Sequence, residues 1–168
     1  MSSVRFRPGG ISNRLWFLIV ARSFYEVLDA LQSDGGLRDF YIPAANRIHW
    51  NAVLCLVRSR LESDSFTVDA EPKELPPTFE AIEYIRTQAN PCLSIPVAGA
   101  YVNCHFFRHD EIELDFRPED YRTPEKWAAI CEFFQEITDV VGKASKITYE
   151  NTIDEVIESF HPRGGPGS

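Results

Sequence analysis

Acidic side chains at every second position make residues 111–117 the segment of this chain with the clearest potential for chemistry. The order Glu-Ile-Glu-Leu-Asp-Phe-Arg alternates charged and apolar residues, which is typical of a strand with one buried face. Glu111, Glu113 and Asp115 would then share the opposite face, with their carboxylates about 7 Å apart. That spacing is too wide for all three to bind one ion without further ligands. Three interpretations are open: a solvated sheet face, an acidic surface for a basic partner, and a carboxylate metal site.

The neighbouring residues Cys104 and His105 are the next candidates for chemistry. Adjacent strand residues point to opposite faces, so this thiol and this imidazole cannot form a nucleophile–base pair with each other. If Cys104 faces the core, Asn103 and His105 lie beside the acids, where a carboxylate would raise the pKa of His105. His105 is then a surface histidine with a hydrogen bond, or it works with Asp115 or Glu113 in a small hydrolase.

Short motifs of known catalytic and cofactor sites are not found in the sequence. It contains no G-x-S-x-G, P-loop, G-x-G-x-x-G, H-E-x-x-H or EF-hand pattern. The four cysteines form no C-x-x-C pair, which disfavours zinc-ribbon and thioredoxin-like sites; they are Cys55, Cys92, Cys104 and Cys131. We expect four buried free thiols, with a disulfide in an oxidising compartment as the alternative. The leading interpretation therefore includes no catalytic residue, metal or cofactor.

Length and composition limit the class of protein. The chain has 168 residues, 44% hydrophobic and 25% charged, which is typical of one soluble globular domain. Its formal net charge of −8 disfavours nucleic acid as a partner, because nucleic-acid binders usually carry a basic surface. The longest apolar run, residues 15–21, is too short to cross a membrane. The first 25 residues hold four arginines and no acid, but no signal-peptide cleavage pattern follows, so we expect a cytoplasmic protein.

The spacing of apolar residues predicts an α+β fold, an antiparallel meander of about four to six strands packed by helices on one face. Strands are predicted at residues 15–21, 38–42, 65–69, 93–97, 101–107, 111–117 and 146–149. Helices are predicted at residues 23–33, 45–61 and 79–88, from Thr123 to Gly142, and after Thr152. The chain then divides into a basic N-terminal strand and helix extension at 1–37, a single α+β domain at 38–160 and a flexible tail at 161–168.

Five segments follow one another across residues 38–151. They are Asp39-Phe-Tyr-Ile-Pro43, Asn103-Cys-His-Phe-Phe107, Glu111-Ile-Glu-Leu-Asp-Phe116, the amphipathic helix from Trp127, and Ile147-Thr-Tyr-Glu-Asn151. In this order the chain resembles the immunity proteins of bacterial polymorphic toxins. The resemblance implies a stoichiometric inhibitor that blocks the active site of a toxin and has no catalysis of its own. Residues 1–37 lie outside it, and their basic character differs from the acidic remainder.

The leading functional prediction is therefore a cytoplasmic, immunity-type binding protein for a basic toxin domain. Its predicted partner-binding residues are Glu111, Glu113, Asp115, Asn103 and His105, with Tyr101 and Tyr121 as aromatic anchors. Nucleic acid and membranes are not predicted as partners. Two alternatives are open: the small hydrolase described above, and a homo-oligomeric module such as a homodimer. In that module the N-terminal strand, with Trp16 and Phe17, would pair with a second copy.

Overall fold

The computed structural model describes residues 24–163, which contain eight strands, three α-helices described over their full length and a further helical segment at residues 24–27. The strands are β1 Arg38–Pro43, β2 Phe66–Val68, β3 Glu71–Pro72, β4 Pro91–Val97, β5 Ala100–Cys104, β6 Glu111–Phe116, β7 Ser145–Tyr149 and β8 Thr152–Phe160. The helices are α1 Arg47–Val57, α2 Phe79–Arg86 and α3 Pro124–Val141, and residues 24–27 are helical as well. Within this part of the chain the strands form one antiparallel sheet in the order β3-β2-β4-β5-β6-β1-β7-β8.

The α+β class and the antiparallel meander are confirmed, but the sheet is wider than predicted. β4, β5 and β6 follow one another as hydrogen-bonded neighbours, as expected from the three successive strand patterns. The sheet exceeds the predicted four to six strands partly because residues 71–72 and 152–160 also pair as strands. The strand predicted at 15–21 lies outside the described residues, as does most of the predicted extension 1–37.

The helix predicted after Thr152 is wrong, because this segment forms the edge strand β8. Asn151 has a left-handed backbone with a φ of 56°, and Tyr149 pairs with Thr152, so the chain reverses in a two-residue hairpin turn. Antiparallel pairing with β7 then satisfies the backbone of the segment. The register shifts on both sides of Thr148, and this irregularity hides the strand periodicity in the sequence.

The apolar core lies on one face of the sheet, where the helices pack. Phe134 of α3 is fully buried and stacks on Phe40 of β1, with ring centroids 4.2 Å apart. It also contacts Phe116 of β6 at 5.7 Å. α3 has the predicted ends, since the Thr123 hydroxyl caps its first turn and Gly142 ends it with a left-handed backbone. The opposite face of the sheet, here called the outer face, carries polar side chains.

Residues near both ends of the described region are held against the domain. Arg38 at the start of β1 is buried, and its Nε donates a hydrogen bond to the Ala30 carbonyl at 2.7 Å. At the other end, Arg163 Nε donates to Asp139 of α3 at 2.8 Å. Arg163 therefore ties the start of the predicted tail to the helix, and residues 164–168 lie outside the described part.

Candidate functional site

β6 shows the alternation that its sequence predicts. Its apolar side chains are buried on the core face; they are Ile112, Leu114 and Phe116. Its acidic side chains lie on the outer face; they are Glu111, Glu113 and Asp115. Glu111 and Glu113 are half-buried, whereas Asp115 is only 8% exposed. Asp115 is therefore a fixed part of the surface and does not project freely into solvent.

β1 adds a carboxylate that the sequence analysis missed. Asp39 lies directly opposite Asp115 in the register of β1 and β6, and only 3% of it is exposed. Its Oδ2 accepts hydrogen bonds from the Tyr41 hydroxyl at 3.1 Å and from the Asn151 backbone N–H at 2.9 Å. Asp39 precedes the apolar Phe40 in the predicted strand, and this alternation could have placed Asp39 on the outer face. We call the four outer-face carboxylates the acidic strip: Asp39, Glu111, Glu113 and Asp115.

Burial and repulsion between like charges oppose full ionisation of the acidic strip. Burial, followed by the charges of Asp39, Glu111 and Asp115, raises the pKa of Glu113 to about 7. Burial is also the largest cause that raises the pKa of Asp39, while the hydrogen bonds to this carboxylate act in the opposite direction. Burial and the neighbouring Asp39 raise the pKa of Tyr41, so its hydroxyl stays a donor at neutral pH. The strip therefore exchanges a proton near neutral pH.

We expect Glu113→Gln to stabilise the protein at alkaline pH and to change little at acidic pH. The folded state holds the Glu113 proton more tightly than the unfolded chain, whose pKa is 4.5. The contribution of Glu113 to stability is therefore fully present below pH 4.5 and is lost as the pH rises to about 7. Glutamine cannot ionise, so the variant avoids this loss, about 1 kcal/mol at about pH 8 after allowance for solvent screening. Urea unfolding at about pH 5 and about pH 8 measures the difference, and an equal stability of the two proteins at the higher pH would contradict the expectation.

A chain of polar contacts runs from the acidic strip to His105. His105 Nε2 lies 3.4 Å from Asp115 Oδ2, and Asn103 Nδ2 donates to Asp115 Oδ1 at 3.2 Å. The Ser94 hydroxyl donates to Asn103 Oδ1 at 2.9 Å, which orients the amide. The hydrogen bond with Asp115, followed by one with Cys92, raises the pKa of His105 to about 10, so its ring is an imidazolium at neutral pH. The predicted position of Asn103 and His105 beside the acids is confirmed.

The two tyrosines predicted as aromatic anchors differ in exposure. Tyr101 is 50% exposed on the outer face of β5. Tyr121 is fully buried, with its ring edge-on to Phe116 at 5.4 Å and its hydroxyl bonded to a backbone carbonyl. Tyr121 is therefore inaccessible to a partner, which corrects its predicted role. Phe107, which the sequence analysis missed, is exposed and stacks on His105 with ring centroids 5.4 Å apart.

An open groove of about 490 Å³ borders the polar chain on the outer face. Its lining includes Ser94, Tyr101, Asn103, Arg117 and Asp120. The groove has the volume of a small-molecule site. His105 is not among the described residues that line it, so the histidine lies beside the groove and outside it.

All four cysteines are free thiols, but their environments differ. Cys104 and Cys131 are buried, and burial raises the pKa of both thiols. Cys92 is half-buried on the outer face of β4, and Cys55 is exposed on α1. The prediction of buried thiols is therefore confirmed for two of the four and is wrong for Cys55.

No arginine or lysine among residues 24–163 forms an ion pair with a member of the acidic strip. The arginines that do pair contact acids elsewhere, as Arg47 does with Glu83 and Arg163 does with Asp139. The described residues also include no group of three histidine, cysteine or acidic side chains arranged to hold a metal ion. Of the helices in the described region, none combines the length and the apolar character needed to span a membrane.

Comparison of the chain with protein-family models, with curated proteins and with solved structures found no match.

Proposed function

We propose that this protein is a non-catalytic binding protein that captures a basic protein partner through the acidic strip and neutralises it by covering its active site. The observation that carries the proposal is the set of four carboxylates on adjacent strands, unpaired with any arginine or lysine of the described region. Such a surface attracts a cationic partner, accelerates its association and repels an anionic one.

A basic side chain of the partner would compensate the repulsion within the acidic strip. Asp39 and Asp115 face each other across β1 and β6, and Glu113 lies two residues along β6 from Asp115. A guanidinium or ammonium group placed among these side chains favours their charged forms. Arginine suits this surface best, because its planar fork can bind two carboxylate oxygens at once. An arginine-rich partner surface is therefore the expected complement.

The acidic strip also has features that suit a stable complex. The hydrogen bonds to Asp39 from Tyr41 and from the backbone of Asn151 hold this carboxylate in place before a partner arrives. Binding then orders fewer side chains, which lowers its entropic cost. Tyr101 and Phe107 are exposed near the strip and offer the aromatic contacts in which interface hot spots are enriched.

The resemblance of residues 38–151 to toxin immunity proteins supports a toxin domain as the partner, and the acidic strip favours a basic one. The free thiols of Cys55, Cys92, Cys104 and Cys131 fit a reducing compartment such as the cytoplasm, where such an antidote would act. The net charge of −8 favours a basic protein over nucleic acid as the partner.

Charge reversal on the acidic strip tests the proposal. Wild type and the double variant Glu111→Lys, Glu113→Lys serve as baits for a lysate of the source cells, and proteins retained only by wild type are identified. The purified partner is then measured by biolayer interferometry over a salt series. We expect the association rate of the variant to be about tenfold lower at about 0.05 M salt, and the difference to shrink at about 0.5 M salt.

The double variant Glu26→Lys, Glu125→Lys is the matched control. Both residues are exposed on the helical part of the fold, and the variant changes the net charge by the same amount. It should associate like wild type. Equal association rates of all three proteins at every salt concentration would contradict the proposal. If the only captured protein is the chain itself, and light scattering shows a dimer that the first variant disrupts, the acidic strip is a self-association surface instead.

A further inference from the structure

The open groove of about 490 Å³ lies beside the acidic strip and is separate from it, since the described residues that line the groove include no member of the strip. Its floor is a row of polar side chains: Ser65 just before β2, Ser94 of β4 and Asn103 of β5. Ser94 lies opposite Asn103 in the register, and its backbone N–H donates to the Ser65 carbonyl at 2.7 Å. The groove therefore crosses the strands from the β2 side to the β6 side.

Hydrogen bonds hold the floor of the groove in one arrangement. Ser65 is only 4% exposed, and its hydroxyl oxygen accepts from the Glu62 backbone N–H at 2.9 Å, which leaves the hydroxyl hydrogen available as a donor. The Asn103 amide is oriented on both sides, by the Ser94 hydroxyl at 2.9 Å and by Asp115 at 3.2 Å. Its second N–H is available to a ligand. The floor thus offers donors that suit carbonyl oxygens.

Charged side chains of opposite sign line the two ends of the groove. Asp64 precedes Ser65 on the β2 side, and Arg117 follows β6 directly. Within residues 24–163, neither of these two side chains has an ion-pair or hydrogen-bond partner. Three strand spacings separate the two ends, about 14 Å between their backbones. An extended tripeptide spans about 10 Å, so it fits between the two side chains.

The signs of the charges favour a ligand that carries both an ammonium and a carboxylate group. Asp120 also lines the groove, three residues after Arg117, and these two side chains form no ion pair in the described region. Two acids and one base repel a multiply charged anion such as a phosphate ester. A ligand with only positive charges would be repelled by Arg117. A guanidinium can instead bind both oxygens of a single carboxylate.

Tyr101 adds an apolar contact at the Arg117 end of the groove. It precedes Val102, and Arg117 follows Phe116, the register partner of Val102, so the two groove residues are neighbours across β5 and β6. Half of Tyr101 is exposed. Its ring can therefore pack against the side chain next to the ligand's carboxylate, where an aromatic group makes the best contact.

We propose that this groove binds a short peptide with free ends, about three residues long and with an aromatic residue at its carboxyl end. Asp64 binds the terminal ammonium group, and Arg117 binds the terminal carboxylate. Ser65 and Asn103 donate hydrogen bonds to carbonyl oxygens of the peptide, and Tyr101 packs on its last side chain. The volume of about 490 Å³ lies in the range of small-ligand sites.

Titration with the tripeptide Ala-Ala-Phe, followed by NMR of the isotope-labelled protein, measures both the affinity and the place of binding. The side-chain amide signal of Asn103 and the backbone amides of Ser65 and Ser94 should shift. The same peptide with an acetylated amino end lacks the ammonium, and the peptide with an amidated carboxyl end lacks the carboxylate. We expect each blocked peptide to bind about tenfold more weakly than the free one, because one charged group loses its partner.

Two variants assign the ends of the peptide to residues. Arg117→Gln should bind Ala-Ala-Phe about tenfold more weakly and no better than the amidated form, while it still prefers the free amino end. Asp64→Asn should show the opposite pattern, with no preference against the acetylated form and an unchanged preference for the carboxylate. Arg122→Gln is the matched control, since it removes an exposed arginine that does not line the groove, and it should bind like wild type.

Tyr101→Ala tests the aromatic contact: wild type should bind Ala-Ala-Phe more tightly than Ala-Ala-Ala, and the variant should bind both alike. The proposal is overturned if wild type binds no Ala-Ala-Phe at millimolar concentration, or if Arg117→Gln binds it as tightly as wild type. Equal or tighter binding of the amidated peptide would make the groove a cation site, and equal or tighter binding of the acetylated peptide a carboxylate site. None of these measurements requires the protein partner, so their outcome is independent of the proposed binding function.

Discussion

Phe134→Ala lowers the free energy of unfolding by about 3–5 kcal/mol, the largest effect that we expect from a single substitution. Phe134 of α3 is fully buried and contacts the rings of three strands: Phe40 of β1, Phe116 of β6 and Phe160 of β8. Removal of the ring leaves a cavity between the helix and the middle of the sheet, which a close-packed interior fills only in part. Urea unfolding followed by circular dichroism measures the loss.

Phe134→Leu is the matched control for this prediction, because it keeps most of the apolar volume and should cost about 1–1.5 kcal/mol. Loss of the Phe134 ring should also affect the outer face of the sheet. Phe40 is next to Asp39 in the chain, and Phe116 is next to Asp115. The ring therefore supports the backbone that carries two members of the acidic strip. A loss below about 1 kcal/mol for the alanine variant would contradict the central position of this ring.

Arg38→Ala should lower the free energy of unfolding by about 3 kcal/mol, because buried carbonyls lose a charged donor. Only 2% of the side chain is exposed. Its Nε donates to the Ala30 carbonyl at 2.7 Å, and its Nη1 donates to the Leu37 carbonyl at 2.8 Å. Its Nη2 pairs with Asp34 at 3.0 Å, and the guanidinium lies over the Tyr149 ring at 4.5 Å. Thermal and urea unfolding measure the effect.

Two further variants separate the hydrogen bonding of the Arg38 guanidinium from the effect of its positive charge. Arg38→Lys keeps the charge but not the planar fork, so it should recover only part of the loss. Arg122→Ala removes an exposed arginine and should change stability by less than about 0.5 kcal/mol. Hydrogen exchange adds a positional readout, since Arg38→Ala should expose the amide of Leu31 before those of β1. A stability of Arg38→Ala equal to that of Arg122→Ala would contradict the anchoring role.

Local signals were strong enough to predict much of the fold. α3 was predicted because its cap, its apolar spacing and its terminal glycine agree with one another: Thr123 caps the first turn and Gly142 ends the last. The outer-face position of the acids on β6 followed from the two-residue period alone. Both depend on residues that are close together in the chain, so a single sequence contains the necessary information.

β8 and Asp39 were missed because the information lies in pairing between strands. Ile153, Val156, Ile157 and Phe160 have the spacing of a helical face, and only the register with β7 makes the segment a strand. Asp39 belongs to the site because β1 inserts between β6 and β7, a topology that no local pattern specifies.

The polar chain of Ser94, Asn103, Asp115 and His105 comes from residues 91–116, on or next to three consecutive strands with a tight turn at Ala98 and Gly99. Side chains alternate along a strand, so inserting or deleting one residue inside β4 or β5 turns these polar side chains towards the core. Relatives of this chain that retain Ser94, Asn103 and Asp115 should therefore have constant strand lengths here. Length changes should accumulate instead in the connection before β6, where an extra residue leaves the alternation intact. Evolution of this region would then proceed by substitution within the strands and by insertion only between them.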